Sequence, residues 1–160
     1  PYTDRYGMGD IARSRTTPAY FHAGNGAHYA FVTGSAKAAE DSGTSVAPGL
    51  VRLGIVARRG QPAHLRVDAV QQDLVFQNPG SPTVSSNGRR DGIVWVLDVN
   101  KPRSASLYGP DAPQPVLYAV DAQTMALLWR SPPGQLYPGG KYNEVVVTRG
   151  QVLVGTDRIQ

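Results

Sequence analysis

Apolar residues come along this chain in short bursts rather than in helical stripes. The bursts run about five to seven residues, are rich in Val, Ile, Leu, Tyr and Trp, and are separated by Gly, Pro, Asn or Asp. They predict strands at Ala19–Ala23, His28–Thr33, Leu50–Val56, His64–Val70, Thr83–Ser86, Ile93–Asp98, Val116–Val120, Ala126–Arg130, Glu144–Thr148 and Gln151–Gly155. Val116–Val120 suits a strand with alternating faces. Ile93–Leu97 is almost continuously apolar, the pattern of a strand buried on both sides. The single helix candidate, Ala36–Glu40, is too short to stand without tertiary support. Many strands and no long helix predict an all-β fold.

The strands fall into repeating units. Thr17-Pro18-Ala19-Tyr20-Phe21, a Gly24-Asn25-Gly26 turn and Tyr29–Gly34 form one pattern. Ser81-Pro82-Thr83-Val84-Ser85, an Asn87-Gly88 turn and Gly92–Leu97 form it again. Asn143–Val147, an Arg149-Gly150 turn and Val152–Thr156 form it a third time. Pro18 and Pro82 are 64 positions apart, more than the roughly 40–50 residues of common propeller repeats. The excess sits in Ser35–Gly49 and Lys101–Pro115, which are rich in Ala, Ser, Gly and Pro and read as loops. Prolines 102, 110, 113 and 115 cannot donate to a ladder, so Lys101–Pro115 is expected to be an exposed excursion between two antiparallel strands. Units one and two hold four strands each, and unit three holds two. Tandem four-stranded sheets are the sequence sign of β-propeller blades.

Composition narrows the picture further. The 160 residues fit one domain, and 41% hydrophobic content supports a folded core. Gly and Pro far exceed their average of about 7% and 5%, as short strands joined by tight turns require. The net charge of +4 is not gathered into a stripe. Arg58-Arg59 and Arg89-Arg90 each adjoin a Gly or lie one residue from it and read as solvated turn tips, so no nucleic-acid surface is expected. Zero cysteines exclude disulfides, thiolate zinc sites and a cysteine nucleophile. No apolar run approaches the roughly 20 residues of a membrane-spanning helix. The N-terminal Pro1-Tyr2-Thr3-Asp4, without Met or a signal-type apolar run, reads as that of a fragment or processed product.

Leu117-Tyr118-Ala119-Val120-Asp121-Ala122-Gln123-Thr124 followed by Leu127-Leu128-Trp129 resembles the PQQ-like (quinoprotein-type) propeller repeat. Blades of that family read Leu-Tyr-Ala-x-Asp-Ala-x-Thr-Gly, then Lys-x-x-Trp. Gly150–Thr156 resembles the strand of a following blade. The likeness covers Ser81–Gln160 well and Thr17–Val70 loosely. It implies a partial β-propeller of four-stranded antiparallel blades: a lead-in at 1–16, blade one at 17–80, blade two at 81–142 and half of blade three at 143–160. Met125 and Ala126 depart from the family's Gly and Lys. A Gly there permits positive φ, so either this turn has another geometry or Met125 is strained. Asp121 and Thr124 are expected to bond local amides and fix the turn. Trp129 is expected to be buried between blades, its loss by Trp129→Ala costing about 3–5 kcal/mol.

Candidate chemistry is sparse. His22, His28 and His64 are the only histidines, and a hairpin would set His22 beside His28. With Asp10 or Asp68 they sketch a metal site, but no known ligand spacing is matched. Asp91 and Asp98 flank a strand and, seven apart, point to opposite faces. Asp4 and Asp10 flank a glycine turn. Ser14, Ser85, Ser86 and Ser104 lack a nucleophile-elbow context, and Gly24-Asn25-Gly26 lacks the following helix of a phosphate loop. Arg13 and Arg15 share a face if extended and read as structural pairs for Asp4, Asp10 or a neighbouring blade.

The expectation is therefore a non-catalytic propeller piece that serves as a binding or scaffold surface, with no catalytic, cofactor-binding or metal residue assigned. Its partners would be the remaining blades of a parent chain, other copies, or a protein or carbohydrate ligand. The resemblance implies a periplasmic or extracellular setting. A PQQ-dependent dehydrogenase, binding PQQ and calcium across several blades, is the first alternative. A carbohydrate binder using Tyr108, Tyr137 and Tyr142 is the second. The ends of the stack are expected to be open and apolar.

Overall fold

The computed structural model describes residues 16–34, 49–100, 114–137 and 144–155. They form ten strands: β1 (Ala19–His22), β2 (His28–Thr33), β3 (Leu50–Val56), β4 (His64–Gln71), β5 (Thr83–Asn87), β6 (Arg90–Asp98), β7 (Val116–Asp121), β8 (Leu127–Arg130), β9 (Val145–Thr148) and β10 (Gln151–Val154). All ten expected strands are present, with small shifts at their ends. The helix candidate Ala36–Glu40 and nearly all of the Lys101–Pro115 excursion lie outside the described residues.

Every strand pairs antiparallel with its sequence neighbour, in the orders β1-β2-β3-β4, β5-β6-β7-β8 and β9-β10. The chain is all-β, and none of the three sheets closes on itself. Turn chemistry explains the hairpins. Arg149 and Gly150 both have positive φ, the demand of a two-residue type I′ turn between β9 and β10. The short charged turns Arg58-Arg59 and Arg89-Arg90 are exposed, as expected.

The sheets stack face to face, and alternation along β6 shows how. Val94 and Val96 enter one core with Phe21, Phe31, Leu50, Phe76 and Val120. Leu97 and Val99, with Trp95 packed beside them, enter a second core with Leu117, Val145 and Val154. The strand β6 of the middle sheet is thus packed on both faces, which the near-continuous apolar run Ile93–Leu97 predicted.

Cross-strand register exposes the repeat. Ala19, Phe31, Arg52 and Ala69 form one rung across the first sheet. Thr83, Trp95, Ala119 and Trp129 form the equivalent rung across the second. Each rung lies on the face turned to the next sheet, called here the leading face. The trailing rungs correspond too: Tyr20–Ala30–Leu53–Val67 and Val84–Val94–Val120–Leu127. The first strands of the sheets lie together, β5 touching both β1 and β9. Three hydrogen bonds join the sheets on this side: Thr17 N, just before β1, donates to Ser81 Oγ (3.0 Å), Thr33 Oγ1 at the end of β2 to the Gly80 carbonyl (3.0 Å) and Thr83 Oγ1 on β5 to the Val145 carbonyl on β9 (2.7 Å).

The β7–β8 turn follows the sequence reading. Asp121 Oδ1 accepts from the amides of Gln123 (2.8 Å) and Thr124 (2.6 Å). Desolvation pushes the Asp121 carboxyl up, but these bonds win and leave it below its usual range. Met125 sits at φ +63°, a conformation that favours glycine, with its side chain buried. The turn demands a left-handed residue there, and Met125 carries the strain. Relief of that strain is worth about 1–2 kcal/mol, whereas loss of a buried Met costs about 2–5 kcal/mol. Met125→Gly is accordingly expected to destabilise by about 2 kcal/mol in urea unfolding. A stabilised variant would show that strain outweighs packing.

Candidate functional site

The most elaborate polar assembly lies where the first sheet meets the second. Arg52 projects from the leading face of β3. Its Nε donates to Asp68 Oδ2 (2.7 Å), and its ring-facing side stacks over Tyr29 at 4.6 Å. Its Nη1 donates to the carbonyls of Ala122 (3.0 Å) and Gln123 in the β7–β8 turn. Gln71 Nε2 adds a bond to the Met125 carbonyl (2.9 Å). A carboxylate on one side and backbone carbonyls on the other use the planar fork of a guanidinium fully. This is a clamp between sheets, and Asp68 is one of its members.

His22 and His28 are directly opposed across the β1–β2 hairpin. Their rings stack at 4.1 Å, nearly parallel at 17°. Tyr20 Oη lies 2.6 Å from His28 Nδ1. Desolvation, and then the charges of Arg89 and His28, hold the His22 pKa below its ordinary value. His64 is on β4, opposite Val56 at the far edge of the sheet. The hairpin brings two histidines together as expected and leaves the third apart. Among the described residues no group of three His, Cys, Asp or Glu is placed to hold a metal ion. Asp4, Asp10, Arg13, Arg15, Ser14, Ser104, Tyr108 and Tyr142 lie outside the described residues.

Asp91 and Asp98 sit near opposite ends of β6. Asp91 is exposed, whereas Asp98 is almost wholly buried. Asp98 Oδ2 accepts from Gln77 N (2.8 Å), and Oδ1 accepts from Asn78 N (2.8 Å) and Asn100 N (2.9 Å). The carboxylate anchors the segment that links the first sheet to the second, where Phe76 enters the core against Tyr118. Burial raises the Asp98 pKa, and the three amides only partly oppose it. A carboxyl raised in the folded state binds its proton more tightly there than in the unfolded chain. Its contribution to stability is therefore present at low pH and falls as pH rises from the ordinary aspartate range through the raised value. Asp98→Asn removes that decline and leaves the Gln77 amide facing a donor, at a cost of about 1–3 kcal/mol. Urea titrations across acid pH check both: the decline should appear in the parent chain and vanish in the variant.

Serine hydroxyls are occupied structurally. Ser85 Oγ accepts from Trp95 Nε1 (2.8 Å), Ser86 Oγ donates to the Gly88 carbonyl (2.8 Å), and Ser131 Oγ accepts from Leu117 N (3.0 Å).

Trp129 corrects an expectation. It is 45% exposed rather than buried. It stands on β8, the last strand of the second sheet, and the facing sheet has two strands among the described residues. Those strands reach Trp95 and Leu117 but do not cover β8. Trp129 instead walls a groove of about 320 Å³ with Trp95, Leu117, Leu136, Val152 and Val154. The loss of 3–5 kcal/mol expected for a fully buried tryptophan therefore does not apply.

The Arg52 clamp and the Asp98 anchor were not visible in the sequence, because both depend on backbone groups at least 20 residues away, the carbonyls of Ala122 and Gln123 for Arg52 and the amides of Gln77 and Asn78 for Asp98. Comparison with protein-family models, with curated proteins and with solved structures finds no match to this chain.

Proposed function

We propose that this chain is a run of PQQ-like β-propeller blades whose role is to present a binding or scaffold surface, not to catalyse. The observation that carries the reading is the paired rungs. Two four-stranded meanders repeat the same leading and trailing positions, and their first strands lie side by side with that of a third sheet. Blades arranged around an axis require that relation. Positive φ at Met125 adds support, since the family places glycine there. Polar side chains that are well ordered by partners, namely Arg52, Asp98 and Asp121, bond the fold's own backbone. Under this reading the parent protein works in the periplasm or outside the cell.

The dehydrogenase alternative makes an opposite prediction in one experiment. The purified chain is incubated with PQQ and Ca²⁺ and then desalted. No retained quinone absorbance is expected. Stoichiometric retention would overturn the non-catalytic reading. The two tryptophans of the groove favour carbohydrate as the ligand class to try next, since sugar faces stack on exposed aromatic rings; Tyr137 is exposed nearby in sequence.

A further inference from the structure

Among the described residues the stack of sheets has two ends, and each exposes apolar side chains, the third sheet beside the polar pair Thr148 and Gln151. At one end is the trailing face of the first sheet. Its central rung is Tyr20–Ala30–Leu53–Val67, flanked by the directly opposed pair Ile55 and Leu65 and by Val70. Val67 is 63% exposed, and Tyr20, Leu65 and Val70 are exposed with it. At the other end is the leading face of the third sheet, where Val146 and Leu153 are opposed across β9 and β10. Val146 is 54% exposed. Clustered apolar exposure of this kind marks an interaction surface.

The fold itself says what covers such faces. Twice within the chain a leading face packs on a trailing face, the first sheet on the second and the second on the third. The trailing rung of the second sheet, Val84–Val94–Val120–Leu127, lies against the first sheet, with Val94 and Val120 fully buried. The equivalent rung of the first sheet is the uncovered Tyr20–Ala30–Leu53–Val67. What remains unpaired among the described residues is therefore one trailing face and one leading face, the combination already realised twice.

We propose that the leading face of the third sheet in one copy packs on the trailing face of the first sheet in a second copy, joining chains head to tail. The contact continues the internal interface and rests on reading the three sheets as one leading-to-trailing stack. It is heterologous, so it closes into a ring if the rotation per copy permits and otherwise extends. Two different surfaces meet, which distinguishes it from a two-fold contact between like faces.

Sedimentation of the whole chain tests it with two exposed substitutions, Val67→Lys on the trailing face and Val146→Lys on the leading face. The parent chain is expected to reach at least twice the monomer mass as concentration rises. Each variant alone should stop at the monomer. Their equimolar mixture should yield a one-to-one dimer, because each supplies the face the other lacks. A monomeric parent chain at all concentrations overturns the proposal. So does a variant that still self-associates, or a mixture that stays monomeric. Leu65→Lys and Leu153→Lys give a second pair if circular dichroism shows either first variant unfolded. None of these outcomes bears on the packing of sheets within one chain, which a Thr17→Cys, Ser81→Cys cross-link probes separately.

Discussion

Phe31→Ala is expected to destabilise the protein by about 3–5 kcal/mol, enough to unfold a domain of ordinary stability. Phe31 is fully buried at the centre of the leading rung of the first sheet. Its ring fills the space between that sheet and Val94, Val96 and Val120 of the second. Removing it takes apolar area out of the interface and leaves a cavity that two hydrogen-bonded sheets cannot collapse around. Chemical denaturation should show a large fall in midpoint. A change below about 1 kcal/mol, the range of surface substitutions, would mean that the two sheets do not pack on each other through this ring.

Gly49→Ala should be comparably damaging for a different reason. A Cβ at Gly49 would stand 1.9 Å from the Leu74 carbonyl oxygen and 2.9 Å from that of Gln71. Both are backbone atoms, so no side-chain rotation relieves the clash. Gly49 lies just before β3, and its own carbonyl accepts from Gly34 N (3.0 Å). The added methyl must displace either the start of β3 or the 71–74 turn that carries buried Leu74. Overpacking usually costs about 1–3 kcal/mol. A backbone collision this close puts the expected loss at the top of that range or above it. A thermal shift equal to that of an exposed Gly155→Ala control, where a Cβ meets nothing within 4 Å and φ is not positive, would show that the 49–50 backbone is not held against residues 71–74.

Much of the architecture was legible in sequence because strands and turns are written locally. The apolar bursts and the Gly, Asn and Arg-Gly turns marked every observed strand, and the double-sided burial of β6 could be read from Ile93–Leu97 alone. Asp121 and Thr124 behaved as their local chemistry required. Trp129 shows the boundary of that approach. Its motif marks a position on the leading face, and it is on that face. Whether it is covered depends on how far the facing sheet extends, which no local pattern records. Arg52 reads in sequence as an interruption of an apolar strand. Only the folded chain brings it to the carbonyls of residues 122 and 123, about 70 residues away. In sequence Asp98 is one of two carboxylates that flank a strand and, with Asp91 seven residues away, point to opposite faces. In the fold it is an anchor, because two amides from a crossing segment, Gln77 and Asn78, converge on it together with the nearby Asn100 amide.

The central claim is that consecutive sheets stack with their first strands side by side, as blades do. The most direct measurement is a cross-link between the approaches to β1 and β5. Thr17 N lies 3.0 Å from Ser81 Oγ, and the chain has no cysteine of its own to confuse the result. A Thr17→Cys, Ser81→Cys double variant should form an intrachain disulfide under mild oxidation, leaving no thiol to react with maleimide in the native state. Two thiols that stay free and reactive in the folded, oxidised double variant would contradict the account.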